Sequence, residues 1–292
     1  MVRVIYPVER YRKGARSLPE GPEIRRAADR ITEVLAGRRL RRLFFAFPRL
    51  KPFEKRLRGR TVCAVEARGK AILMHFDNGC TLYSHNQLYG RWHIVAGDDY
   101  PQTTRSLRVA LHTADHAVLL YSASDIAILK SGELDRHPYL SRLGLELLQP
   151  ETGVDAVAAL LAQGEYRRRC LMGLLQDQRV LAGMGNYLCC EALHVSGIHP
   201  RQRPSDLGGD RLRRLAENCL ELTRRSYRTG GVTNAPARAE ALRKQGVAFE
   251  DYRFHVYRRA GQPCYHCGEI VIKDRFCGRM GYICPGCQRF SR

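Results

Sequence analysis

Four cysteines near the carboxyl end have the spacing of a metal site: Cys264-x2-Cys267, sixteen residues, then Cys284-x2-Cys287. Two such knuckles bring four thiolates to one tetrahedral centre, the ligand set of structural zinc, and leave no open position for a reacting water. The expected cofactor is a single structural Zn2+ that holds together a hairpin too small to fold by burial. Cys277 falls between the knuckles and is read as a bystander. At the other end, Pro19-Glu20-Gly21-Pro22 sets a proline and a carboxylate at the mouth of a helix. On residue types alone this is a capped helix start, because a proline nitrogen inside a peptide bond has its lone pair delocalised and attacks nothing. Lys70, in Ala67-Arg68-Gly69-Lys70, stands at a strand entrance where a long side chain can reach a bound partner.

Periodicity supplies the elements that must position these groups. Ile24, Ala27, Ala28, Ile31, Val34 and Leu35 recur at helical spacing, with Pro22 suited to the first turn and Gly37 to the stop. From Leu40 to about Ala123 short strands follow: Ile72, Met74 and Phe76 alternate up to the hairpin turn Asp77-Asn78-Gly79, and Val109 and Leu111 alternate with Arg108 and Ala110. Two sheets packed face to face, with the first helix alongside, would bury these runs. From Pro150 the pattern is helical, with helices expected at Val154 to Leu161, Tyr166 to Gln176 and about Asp210 to Tyr227. Between the last two, Leu181-Ala182-Gly183-Met184-Gly185-Asn186-Tyr187 breaks the run and restarts a helix containing Glu191. Glycines before a helix let backbone N–H groups approach a phosphate closely. Arg228 to Gly246 shows no period and reads as a connector.

Composition narrows the partner. Lys and Arg number 49 against 29 acids in 292 residues, a formal net charge of +20, which points to a polyanion. Met1 to Leu18 holds only five of those bases and one of the acids, so the excess belongs to the rest of the chain as well. No apolar run approaches bilayer length and no lipidation motif is evident, so nucleic acid is favoured over a membrane surface. Eleven cysteines without a secretory signal, four of them in knuckles, read as a reduced, cytoplasmic chain.

Five separated features occur together in one order: Pro19-Glu20, Gly69-Lys70, Gln87-Leu88-Tyr89, Gly183-x-Gly185-Asn186 and the four-cysteine ribbon. This series resembles the formamidopyrimidine-DNA glycosylase and endonuclease VIII family from Pro19 to about Gln288. The resemblance implies an α+β multidomain fold. Its parts would be a 1–18 extension, a 19–149 N-terminal β-sandwich with flanking helix, a 150–250 helix-two-turns-helix domain with connector, and a 251–292 zinc β-ribbon. It implies a bifunctional DNA glycosylase and AP lyase of base excision repair acting on double-stranded DNA with oxidised bases or abasic sites; nothing in the sequence demands more than a monomer. Pro19 would be the nucleophile, Glu20 the acid, and Lys70 and Arg279 the groups that assist strand cleavage. Asn186 and Arg142 would hold the backbone, and Gln87, Leu88 and Tyr89 would fill the gap left by the everted nucleotide. That triplet matches the endonuclease VIII branch and differs from the Met, Arg, Phe set of the oxidised-purine branch, so the expected substrate is an oxidised pyrimidine. The alternatives are an oxidised-purine glycosylase of the same family and a non-catalytic binder of damaged DNA.

The chain departs from the family in the eighteen residues before Pro19 and in a connector over Arg228 to Gly246 that is longer than the endonuclease VIII pattern. The implied chemistry needs a free proline amine, so the expected start is position 18, a UUG codon written as Leu18, with the initiator removed. An α-amine of pKa about 8 is roughly a tenth unprotonated at pH 7, against below about a thousandth for an ordinary lysine, which favours Pro19 over Lys70 as nucleophile. The positive end of the following helix lowers the proline value further.

Overall fold

The computed structural model describes residues 19–290, so the extension expected at 1–18 lies outside the described residues. Helix α1 (Gly21–Leu35) begins at Glu20, carries Pro22 in its first turn, and buries Ile24, Ala28, Ile31 and Leu35 along one stripe. The chain then runs through β1 (Arg42–Phe45), α2 (Lys51–Leu57), β2 (Val62–Arg68), β3 (Ala71–Phe76), β4 (Cys80–His85), β5 (Arg91–Ala96), β6 (Leu107–His112), β7 (His116–Tyr121) and β8 (Asp125–Lys130). These strands make two four-stranded antiparallel sheets, in the orders β1-β6-β7-β5 and β2-β3-β4-β8. Ile72, Met74, Leu82 and Ile126 of one sheet share a core with Phe45, Leu111, Val118 and Leu120 of the other and with the α1 stripe. Each such side chain contributes about 1.5–3 kcal/mol by leaving water. The alternate residues are buried too: Ala71, Leu73 and Tyr83 lie under Leu140, and Ala110 joins Leu119 and Tyr121 on the far side.

The second half holds β9 (Leu145–Glu146), α3 (Val154–Leu161), α4 (Leu171–Leu174), β10 (Leu181–Ala182), α5 (Asn186–Val195), α6 (Gly209–Arg228), α7 (Pro236–Lys244) and α8 (Phe249–Tyr252). An antiparallel ribbon of β11 (Ile272–Phe276) and β12 (Arg279–Ile283) follows. Helices α3 to α6 and the inner side of the ribbon share one core, with Leu188, Leu215, Phe254, Phe276 and Ile283 among its members. Helix α1 joins the two halves: the Tyr227 hydroxyl donates to Asp29 Oδ2 at 2.7 Å, and Arg26 donates to the Ser226 carbonyl at 2.6 Å.

Three expectations are corrected. The helix expected over Tyr166 to Gln176 shrinks to α4, because non-local bonds compete for its backbone. Leu171 N–H donates to the Gln202 carbonyl at 2.9 Å and Met172 N–H to that of Pro200 at 3.1 Å, while Cys170 stays extended. The connector over Arg228 to Gly246 contains α7, whose one buried side chain, Ala239, leaves no apolar stripe to detect. Cys277 is no bystander: a disulfide joins it to Cys170 across 107 residues. Among the described residues no helix is long and apolar enough to cross a membrane.

Candidate active site

The site is built where the amino ends of two helices meet. Glu20 caps α1 in an extended conformation, and its own N–H donates to Glu23 Oε2 at 3.1 Å. Its carboxylate turns instead into the mouth of α5, whose cap is Gly185. Gly185 N–H donates to Oε2 at 2.8 Å, Tyr187 N–H to Oε1 at 2.8 Å, and Leu188 N–H to Oε2 at 3.3 Å. Helix amino termini leave N–H groups unsatisfied and carry partial positive charge, so a carboxylate is the natural occupant. The N–H groups of Gly185, Tyr187 and Leu188 are therefore taken by Glu20 and not free for a phosphate.

The glycines of that loop serve the contact itself. A Cβ on Gly185 would stand 2.4 Å from Glu20 Cδ. Gly183, at φ +88, accepts at its carbonyl from Gly21 N–H at 2.8 Å, and the two backbones touch with no room between them. Gly185→Ala is accordingly expected to displace the carboxylate. Excision should fall about 100-fold for a shift of order 1 Å, and the melting temperature should drop with an overpacking cost of about 1–3 kcal/mol. Gly208, which caps α6 and whose Cβ would meet nothing within 4 Å, supplies the control. Single-turnover excision by the two alanine variants checks the prediction; equal rates would refute it.

Burial leaves Glu20 only 3% exposed and pushes its pKa up to about 7, with Lys70 pulling the value down, Glu23 raising it, and the N–H groups of Tyr187 and Leu188 pulling it down. Glu23 is held in turn by the Tyr187 hydroxyl at 3.0 Å and by Arg26 at 3.2 Å. Lys70 occupies the tight turn between β2 and β3, after Gly69 at φ +58. Glu146 fixes this turn by accepting from Gly69 N–H at 2.9 Å and Arg68 Nε at 2.7 Å, and Tyr139 Oη accepts from Lys70 N–H at 2.8 Å. The Lys70 ammonium is lowered first by burial; Glu20 raises it and Arg279 lowers it again. Glu20 and Arg279 thus both act on the charge of Lys70, although 259 residues of chain separate the two.

The other candidates surround this group. Asn186 is the first residue of α5, half-buried between two of the residues that bind Glu20. Arg142 is exposed at the end of a 3-10 turn, and its neighbour Leu143 packs beneath Gly69. The pairing of Ala71 with His85 sets Asn86 across from Lys70, so the loop with Gln87, Leu88 and Tyr89 leaves the sheet beside the lysine. Leu88 and Tyr89, 56% and 66% exposed, are the most exposed large apolar side chains among the described residues. Their loop is braced: Ser124 Oγ donates to Gln87 Oε1 at 2.6 Å and Arg105 to the Tyr89 carbonyl at 2.8 Å.

Sequence reasoning missed the supports Glu23, Tyr139, Glu146 and Glu191. Glu191 is fully buried and accepts from the N–H groups of His255, Val256 and Tyr257 and from the Thr233 hydroxyl, at 2.6–2.9 Å, tying α5 to the segment before the ribbon. A lone acid in the otherwise apolar run from Tyr187 to Leu193 was the available sign.

Cys264, Cys267, Cys284 and Cys287 converge, with all four sulfurs within 4.8 Å of one another. Cys264 and Cys287 are 3.8 Å apart, Cys267 and Cys284 3.3 Å, and Cys267 and Cys287 3.4 Å. A Zn–S bond of about 2.3 Å in tetrahedral geometry separates sulfurs by about 3.8 Å, so the cluster fits a metal ion of that size.

Residues 18–124 match the formamidopyrimidine-DNA glycosylase N-terminal domain. Endonuclease 8 of Escherichia coli (strain K12 / DH10B) is 46% identical over 271 residues, covering 93% of this chain and all of the relative, and that of Shigella sonnei (strain Ss046) is 45% identical over the same span. Among solved structures, Lactococcus lactis formamidopyrimidine-DNA glycosylase bound to DNA containing an AP site superposes with a TM-score of 0.76 at 19% identity, and MutM with carbocyclic 8-oxo-G DNA at 0.77 and 19%. Each alignment covers 93% of this chain and all of the other, and the likeness shows a shared fold. On the identity and coverage of its relatives, this chain belongs to the formamidopyrimidine-DNA glycosylase and endonuclease 8 family, whose members are DNA glycosylases with AP lyase activity.

Proposed function

We propose that this enzyme excises oxidised pyrimidines from duplex DNA and then cuts the strand at the resulting abasic site, with Pro19 as an N-terminal nucleophile. The observation that carries the reading is the Glu20 carboxylate, seated on the amino end of α5, buried, and held near neutrality beside Lys70. A carboxyl group with pKa about 7 is partly protonated at working pH and serves as a general acid. Glu20 protonates the ring oxygen of the everted sugar while the Pro19 amine attacks C1′, and the base departs. The resulting iminium, formed on a secondary amine, stays cationic and acidifies the C2′ hydrogen. The 3′ phosphate leaves first and the 5′ phosphate second, with Lys70 and Arg279 stabilising the departing charge.

Asn186 and Arg142 hold phosphates on either side of this centre, and Gln87, Leu88 and Tyr89 fill the stack where the nucleotide has left it. Their identity, and 46% identity to endonuclease 8, favour a pyrimidine lesion. Cys264, Cys267, Cys284 and Cys287 hold a structural zinc that orders the ribbon and takes no part in the chemistry. The substrate is chromosomal DNA, which sets the enzyme in the bacterial cytoplasm.

The family match begins at residue 18, directly before Pro19, which supports a mature chain starting at the proline. Borohydride trapping on abasic duplex DNA tests the whole reading. The expected product is a covalent adduct on the peptide whose first residue is Pro19, and protein that retains residues 1–18 forms none. An adduct mapped to Lys70, or full activity with the extension intact, would overturn it. Thymine glycol should be preferred to 8-oxoguanine by about tenfold or more in kcat/KM; the reverse order would favour the oxidised-purine reading.

A further inference from the structure

The ribbon is fastened at both ends. Its base carries the four-cysteine cluster, and β11 and β12, five residues each, carry the tip roughly 17 Å away. The tip is Cys277-Gly278, both at positive φ, and Arg279 follows at once. A metal at the base does not fix a turn at that distance. The tip is fixed instead by the bond from Cys277 to Cys170.

Cys170 is a firm mount. It caps α4, its Sγ lies 3.2 Å from the Pro200 carbonyl, and the next two N–H groups are bound to Gln202 and Pro200. Met172 lies against Gly281, which lets β12 settle on α4. Cys277 is exposed, with Arg279 two residues on and the Arg275 guanidinium donating to the Gly278 carbonyl at 3.2 Å. Exposure beside guanidinium groups is the setting that favours a reactive thiolate. The other cysteines outside the cluster, Cys63, Cys80, Cys189, Cys190 and Cys219, are unpaired.

We infer that Cys170 and Cys277 are a modification site, a thiol pair oxidised by hydroperoxides whose disulfide locks the ribbon tip and with it the placement of Arg279. The Cys277 thiolate attacks one peroxide oxygen, the O–O bond breaks, and a sulfenic acid forms with loss of water. The Cys170 thiolate then attacks that sulfur, the S–O bond breaks, and a second water leaves. Two thiols have given up two electrons and two protons, and one hydrogen peroxide has become two waters. Cys170 and Cys277 are positioning residues in this scheme. The oxidant that damages pyrimidines also tightens the enzyme that removes them, so the pair is open in the reduced cytoplasm and closed under oxidative stress. The positioning half rests on the role proposed above for Arg279.

The test uses the full zinc-loaded enzyme. Treatment with hydrogen peroxide should yield a linked Cys170–Cys277 peptide by mass spectrometry, reversible by a phosphine, with zinc content unchanged. In single-turnover cleavage of an abasic duplex, reduction should lower the ratio of second to first elimination about tenfold while the first elimination stays within about twofold. Cys170→Ser, Cys277→Ser and the double variant should all show the reduced ratio and ignore peroxide. No linked peptide after peroxide, or a linked peptide with an unmoved ratio, overturns the proposal. Arg279→Ala separates it from the reading beneath it. If Arg279→Ala leaves the ratio unchanged, the arginine's role falls and the positioning half with it; if the arginine variant lowers the ratio and reduction does not, the crosslink alone is refuted.

Discussion

Glu20→Gln is expected to slow base excision by about 10³-fold, within the range for losing a positioned general acid, while the variant still forms a covalent adduct on DNA whose base is already missing. Removing the base needs a proton on the sugar oxygen; attack on an open abasic aldehyde does not need it from the same group. The carboxamide matches the carboxyl in shape but not in donors. Oε1 takes one N–H and Oε2 takes two, so either orientation of the amide turns an NH2 toward a backbone N–H. That mismatch should cost about 1–3 kcal/mol of stability. The pH profile gives the sharper reading. Burial holds the Glu20 pKa near 7, so the protonated acid and wild-type excision should both decline as pH rises through that value. Because the folded value lies above the ordinary carboxyl value, the stabilisation from the protonated form is complete below about pH 4.5 and is lost as pH rises through about 7. Glu20→Gln should lose both dependences. Equal losses on lesion and abasic substrates would show that Glu20 only holds the two helices together.

The parts of this site that were legible in the sequence are the parts set by local spacing. Two Cys-x2-Cys knuckles, the helix behind Glu20 and the Asp77-Asn78-Gly79 turn each declare themselves within a few residues, because the physics that makes them is local. The supports are different in kind. Glu146 reaches Gly69 across 77 residues, Glu20 reaches Gly185 across 165, and Cys170 reaches Cys277 across 107, and no periodicity encodes such pairings. The glycine loop shows the limit of a local reading: the glycines mark unsatisfied N–H groups at the mouth of α5, but that Gly185, Tyr187 and Leu188 give theirs to the enzyme's own Glu20 carboxylate is a long-range pairing. Helix α7 escaped notice for the opposite reason, since a surface helix with one buried alanine has no face for a pattern to mark.

Stripping the metal from the reduced enzyme, or replacing Cys267 with Ser in it, is expected to weaken binding to lesion DNA by about 100-fold or more, roughly 3 kcal/mol, and to abolish the second elimination. Outside the four thiolates and the Cys170–Cys277 bond the ribbon has little to hold it. Ile272, Lys273, Asp274 and Arg275 of β11 are all exposed, and Val271, Phe276 and Ile283 are its few buried apolar side chains. Binding of a structural zinc is therefore most of this module's folding free energy, of order 10 kcal/mol. The sandwich should survive, since its core runs from Ile24 to Ile128 and takes nothing from the ribbon. Hydrogen exchange should show protection lost over residues 264–288 and kept over residues 71–126, with zinc restoring the former. The order of treatment matters as well: with Cys170 and Cys277 bonded, the tip stays tethered after the metal leaves, so the full loss should require chelation and reduction together. A metal-free, reduced enzyme that still protects the ribbon and completes both eliminations would show that burial against α4 and α5 suffices to fold it.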